Sequence, residues 1–452
     1  MSVNLAIANI ALDTAIVSRQ GFGTILFVGQ HNYFAERVRS YTSTKAMVED
    51  GINQEHPIYK AASGLFSQTP SPTEILIGRQ LVSSKLSLEE VPVAGKMYSV
   101  TLSVQGFSKS FQYTAEASDT QEIVLGELVT VIEADGDFNA VVSSVLTGTG
   151  EDAVLTLDAL GTGWFITSNL INLEESFGAS TETAAEVVAA IEAEDESWYY
   201  ITAQEKSPTF VKAMADEIEA KLKVYAVSLD EITVFDPIQT GTHVDLKDGN
   251  YFRTYSMYHQ EAQTTFPEVS RIAEAAFAVT GTISYGNRRV SAVPVSLNAA
   301  GKPLTSTQQS KLKLVNADYF ARVGSDAGSD PIIGVVGKVA SGEWLDNIVG
   351  RDNLQVDIEA DFNTFLINQK NGKVAFNNKG INQVRGVLDT VLSQYTPEGT
   401  HNFINSDYTI VVADAADVPN QDKASRVFKQ ISFTATLTNA IHMVEITGTL
   451  SY

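Results

Sequence analysis

The chain contains no cysteine. Disulfides, thiolate nucleophiles and cysteine-held metal or iron–sulfur centres are therefore excluded by composition, and stability must come from packing and assembly. Histidine is scarce: the six residues at 31, 56, 243, 259, 401 and 442 form no HExxH pattern and no pair on one helix face, so a zinc site would need ligands gathered from distant segments. Base is also in deficit, with 31 Lys and Arg against 54 Asp and Glu, a net charge of −23 and a pI near 4.6. A field of that sign repels nucleic acid and anionic lipid, which argues against nucleic-acid binding. No stretch approaches the ~18 to 20 apolar residues that span a bilayer, and the N-terminal stretch has no basic residue before Arg19 and no unbroken apolar core, so neither membrane insertion nor a secretion signal is expected.

Several chemical signatures are missing in detail. Asp135-Gly-Asp137-Phe-Asn139 imitates the opening of a calcium loop, but Ala140 stands where the turn glycine belongs and Leu146 where a bidentate carboxylate belongs. Gly334-Val-Val-Gly337-Lys338 has the Gly-Lys of a phosphate loop without its spacing or its Ser/Thr, and reads as the end of a strand. No serine has glycine at both −2 and +2, so the nucleophile elbow of the hydrolase fold is missing. The expectation is a non-enzymatic protein with no catalytic residue, cofactor or metal.

What is present is enough apolar material for several cores: 452 residues, 44% hydrophobic and only 19% charged, on the order of three domains. The pattern alternates between α/β and β-rich logic, so the predicted class is α/β (α+β) and multidomain. Residues 1–15 form an N-terminal arm in which Val3, Leu5, Ile7, Ile10 and Leu12 alternate with small or polar residues, with no hairpin partner nearby. Residues 16–95 begin an α/β core, with buried-type strands at 24–29 and 73–78 around helices at 44–50 and 57–67. Residues 96–178 switch to period two, with 106–110 turn-like, and read as an inserted β-rich outer domain. The core resumes over 179–295, where Thr183-Ala-Ala-Glu186 is a capping box and Ser207-Pro208 opens a helix with Phe210, Met214 and Ile218 on one stripe. A C-terminal inner domain covers 296–430 with helices at 306–316, 355–368 and 380–395, and residues 431–452 are C-terminal strands and an arm carrying Val444, Ile446 and Leu450. One local excess of base breaks the acidic background: Lys370, Lys373, Lys379 and Arg385, which could face an acidic neighbour.

The two ends carry a family likeness. Ser18-Arg-Gln-Gly-Phe-Gly-Thr-Ile-Leu-Phe-Val-Gly29, Val315-Asn-Ala-Asp-Tyr319, Asn377-Asn-Lys-Gly-Ile381 and the alternating Ile431–Leu437 and Ile446–Leu450 segments resemble sheath proteins of contractile bacteriophage tails. The resemblance covers the ends and the C-terminal third, while residues 96–178 match nothing specific. It implies a subunit that polymerises with copies of itself as stacked hexameric rings around a tail tube protein. Both arms then add strands to sheets of neighbouring subunits, with baseplate and tail terminator proteins as further partners. It also implies residence in the virion after assembly in the host cytoplasm, contraction that drives the tube through the host envelope, and a tube-facing role for the Lys370–Arg385 patch. An acidic, adhesin-like binding protein that uses the β-rich domain is the alternative class, and an enzyme with carboxylate chemistry ranks third.

Overall fold

The computed structural model describes residues 22–442 apart from 105–106, 161–164, 181, 325–329 and 370–371, together with Val444. Its body is built on a nine-stranded sheet. From edge to edge the strands are Arg288–Arg289, Ile332–Gly334, Asp318–Arg322, Thr254–Tyr258, Val224–Leu229, Tyr200–Ala203, Ile25–Gln30, Ile75–Gln80 and Val38–Tyr41. Those from Asp318–Arg322 to Ile75–Gln80 run parallel, and the outermost strands on both sides pair antiparallel. The first strand sits centrally, in register Leu26↔Leu76 on one side and Leu26↔Ile201 on the other, the winding of a doubly wound α/β sheet.

The continuous apolar run ILFV follows from burial on both faces. Ile25 and Phe27 enter a core with the helices Pro57–Phe66 and Pro267–Ala276, while Leu26 and Val28 enter a second core with Ala184–Glu192 and Pro208–Glu219. Local chemistry starts these helices as expected. Thr183 and Glu186 close a reciprocal capping box, and Pro208 takes the first helical position with Phe210, Met214 and Ile218 buried beneath it.

Two strands, Asp318–Arg322 and Ile332–Gly334, lie in this sheet, so the body runs across the sequence division at 296. The strand Ser84–Leu88 likewise pairs with Leu173–Phe177 and Val154–Ala159, in the sheet completed by Val142–Thr147, so the β-rich module takes in residues before 96. A second sheet of that module joins Phe107–Thr114, Met97–Val104 and Ile166–Ile171. The stretch read as turn-like over 106–110 is strand from Phe107, because Val104 pairs with Phe107 and the connection is only two residues long. The module also holds a helix, Gln121–Glu133, whose Val124, Leu125, Leu128 and Ile132 are buried. Its Val/Ile/Thr content and Gly126 mask the helical period, and packing against the sheets overrides propensity.

The C-terminal part hangs on one rod, the helix Leu345–Ile367, which begins ten residues earlier than its pattern suggests. Leu345, Ile348 and Val349 pack into the body, whereas Leu354 and Ile358 pack with the helix Asn378–Gln394. At the junction, Asp352 is fully buried and accepts hydrogen bonds from Arg253 Nη1 at 2.6 Å, Arg253 Nη2 at 3.2 Å and Tyr199 Oη at 2.8 Å. Two other buried pairs, Lys206–Glu268 and Arg271–Asp318, tie helix to sheet elsewhere in the body. Removing one partner of such a pair strands a desolvated charge. Asp352→Ala is therefore expected to cost about 3 to 5 kcal/mol, read as a lower urea midpoint at unchanged slope; a shift under about 1 kcal/mol would show that the junction is not held this way.

Candidate assembly interface

Beyond the rod, the chain builds a small unit with an incomplete core. The helix Asn378–Gln394 is N-capped by Asn377, whose Oδ1 accepts from Gly380 N at 2.9 Å. It lies along the C-terminal half of Leu345–Ile367, with Leu388, Val391, Leu392 and Tyr395 buried between them. Gly350 is required here, since a Cβ would meet the ring of Phe403 at 2.3 to 2.7 Å.

Over this pair lies a two-stranded ribbon, Thr409–Val412 with Ile431–Thr434, antiparallel in the register Val412↔Ile431. Pairing is carried further by the Ile404↔Leu437 bridge and by Asn405 N donating to Thr436 O at 2.7 Å. Alternation places Ile431, Phe433, Ala435 and Leu437 on the inward face, yet these side chains and Tyr408 and Ile410 are only half-buried. Among the described residues the ribbon has no third strand. A groove of about 1290 Å³ opens beside Ile431–Leu437, floored by Leu354, Ile358, Phe362, Ile381, Val384 and Leu388 and rimmed by Arg351, Arg426 and Lys429. An unpaired edge above an apolar trough is the geometry that receives an extended segment: backbone groups complete a ladder, and alternate side chains fill the trough.

The charge of this region departs from that of the chain. Residues 368–430 contain seven basic and six acidic residues, in a molecule of net charge −23. Lys373 and Lys379 are exposed and flank one shallow polar depression. Arg385 is also exposed, but lies six residues further along the helix, about 120° around it. Lys370 lies outside the described residues, as do Val3, Leu5, Ile7, Ile10, Leu12, Ile446 and Leu450. Val444 is described and is 72% exposed. The sequence reading marked the alternation of 431–437 but missed the groove beneath it, which depends on the long helix and on Arg426 to Lys429, residues with no periodic signal.

Elsewhere, Asp135 of the calcium-like motif caps the short helix Gly136–Asn139 and pairs with Lys109 at 2.5 Å. Among the described residues no group of three or more His, Asp or Glu side chains is placed to hold a metal, and no helix is long and apolar enough to cross a membrane.

No family model matches the chain, and no curated protein matches it. Among solved structures it is similar to the sheath complex of an extracellular contractile injection system, PVC, in its contracted state. The alignment covers 100% of this chain and 97% of that one, with a TM-score of 0.50 and 8% sequence identity. The molecule thus has a contractile-sheath fold, of mixed α/β class, and the likeness extends along its whole length.

If Phe403 keys the ribbon to the rod at Gly350, Phe403→Ala opens a cavity worth about 3 to 5 kcal/mol. Hydrogen exchange is expected to show lost protection at 404–412 and 431–437 while the strands of the body keep theirs; equal protection in the variant would remove Phe403 from that role.

Proposed function

We propose that this protein is the structural subunit of a contractile sheath, polymerising as stacked hexameric rings around a tube and contracting to drive that tube through a bacterial envelope. The observation that carries the reading is a ribbon edge that no strand among the described residues pairs, over an apolar groove, on a fold shared along its length with a sheath subunit. Residues 3–12 and 444–450 have the alternating apolar pattern such an edge accepts. They are the segments assigned to bridge neighbouring copies, with Val3, Leu5, Ile7, Ile10, Leu12, Val444, Ile446 and Leu450 as the side chains that enter the trough.

Each large side chain buried this way is worth roughly 1.5 to 3 kcal/mol before association costs, so a single bridge is a modest link. Many bridges per ring, repeated along a sheath, hold by avidity. Such tethers can stay paired while the bodies rotate and repack, so shortening draws on stored packing energy and needs no nucleotide site. Lys373 and Lys379, with Lys370 and Arg385, form the proposed tube-facing surface, and baseplate and terminator proteins would cap the polymer. The same subunit serves a phage tail that ejects a genome or a related injection machine.

Deleting residues 1–15, or making Ile446→Asp, is expected to leave a folded, soluble chain that no longer pellets as tubes or rings in sedimentation and negative-stain microscopy. Normal polymers from both variants would overturn strand exchange. Reversing Lys373 and Lys379 to Glu is expected to weaken co-sedimentation with the purified tube several-fold, about 1 kcal/mol per lost charge contact; unchanged co-sedimentation would take the tube off that surface.

A further inference from the structure

The chain leaves the ribbon and then touches down on the body once more. After Leu437, Thr438 is fastened to the ribbon's base by its amide, which donates to Phe403 O at 3.0 Å, and by its hydroxyl, which donates to Asn402 O at 2.8 Å. Asn439 turns the backbone with φ 48°. Ile441 is then 84% exposed, and Val444 is exposed as well. His442 points inward, across a sequence separation of more than 150 residues. Its Nε2 shares a 2.6 Å hydrogen bond with Ser284 Oγ, and Asn287 Nδ2 donates to its carbonyl at 3.0 Å. The imidazole stands at 68° to the Trp344 ring with centroids 4.4 Å apart.

The seat is shaped for this ring. A Cβ at Gly286 would lie 2.9 to 3.2 Å from three imidazole atoms, so only glycine lets it settle against the backbone. Ser284 Oγ is itself held by the Gly286 amide at 3.2 Å. Trp344 is the residue from which the long helix departs, so the segment returns to the point where the C-terminal unit begins. A solvated or backbone-bonded imidazole, the ordinary expectation for a lone histidine between strands, is not what is found.

We infer that Ser284, Gly286, Asn287 and Trp344 form a latch that holds the C-terminal segment to its own body at His442, making His442 the positioning residue that sets where the following residues depart toward a neighbouring copy. The second half of that statement rests on the strand-exchange function; the latch does not, because both of its sides belong to one chain.

The latch responds to acid. The charge that bears on it is the Lys338 ammonium, 4.7 Å from the centroid of the Trp344 ring that His442 touches. Glu343 accepts from Trp344 N and Asn347 Nδ2, Arg271 is held by Asp318 and the Tyr285 carbonyl, and Arg288 by Glu274. Asp346, two residues after Trp344, has its carboxyl pushed up to about 6 by burial and by Glu343; it is present in every variant, so the glutamine reference at the same pH removes its contribution. Burial and the Lys338 charge hold the His442 imidazole below its ordinary range. A group whose docked pKa is depressed stabilises docking fully above its free value, near 6.5. That stabilisation declines as pH falls through the docked value, since the released segment binds the proton more readily.

The test is hydrogen exchange over 436–444 in the unassembled full chain, comparing the wild type with His442→Ala and His442→Gln. Glutamine can still donate to Ser284 Oγ but does not titrate. At pH 7.5 the alanine variant is expected to exchange about tenfold faster than wild type, with 431–434 unchanged and the glutamine variant near wild type. At pH 5 the wild type is expected to move toward the alanine variant when each is referred to glutamine at the same pH. Equal exchange of wild type and alanine at pH 7.5, or a wild type that follows glutamine down to pH 5, would overturn the latch. Because the chains are unassembled, this outcome is separate from whether the arms bridge copies, which the deletion variants decide.

Discussion

A backbone N–H or C=O that leaves water must find a partner, and a sheet edge is a row of such groups waiting for one. In most proteins the edge is short, charged or covered. Here the ribbon edge at Ile431–Thr434 stands beside a trough whose floor is leucine, isoleucine and phenylalanine. The chain's own half-buried Ile431, Phe433 and Leu437 leave its core unfinished. An added strand would complete it, and that is the physical basis of the proposed strand exchange between copies.

Under the proposed strand exchange, load must reach this site without slack. The helix Leu345–Ile367 supplies the rod, and Asp352 fixes it, with Arg253 and Tyr199 filling both carboxylate oxygens inside the body. Burying these charges yields little net stability, because desolvation offsets much of the Coulombic gain. What it gives is a single geometry: the helix cannot slide by a residue without stranding a charge. Asp352 thus fixes the rod to the body, Gly350 against Phe403 fixes the ribbon to the rod, and His442 against Trp344 ties the segment that returns from the ribbon to the start of the rod.

Legibility followed physical locality. The βαβ body could be read because strands buried on both faces are apolar throughout, and because caps such as Thr183 with Glu186 are contained in four residues. The helix of the β-rich module was hidden, since Gly126 and a β-branched composition let sheet-like statistics stand where tertiary packing decides. The long helix was cut short because its first half mixes Asp346, Asn347, Gly350, Arg351 and Asp352 among apolar residues; the buried pairing that makes Asp352 acceptable joins residues 99 apart. For the same reason the alternation of residues 3–12 and 444–450 was visible while the groove beside the ribbon was not. An alternating strand is a property of one segment, whereas a trough belongs to three elements at once.

The chain's lack of cysteine makes the central claim directly measurable. A disulfide forms only when two Cα atoms come within about 7 Å, so single variants Ala6→Cys and Ser432→Cys, purified separately, mixed and assembled under oxidising conditions, report where the arm lies. Strand exchange between copies predicts a disulfide that joins one variant to the other and appears only in the polymer. Polymers that form normally yet give no cross-link between the two chains, while the double variant closes a disulfide within a single unassembled chain, would contradict it.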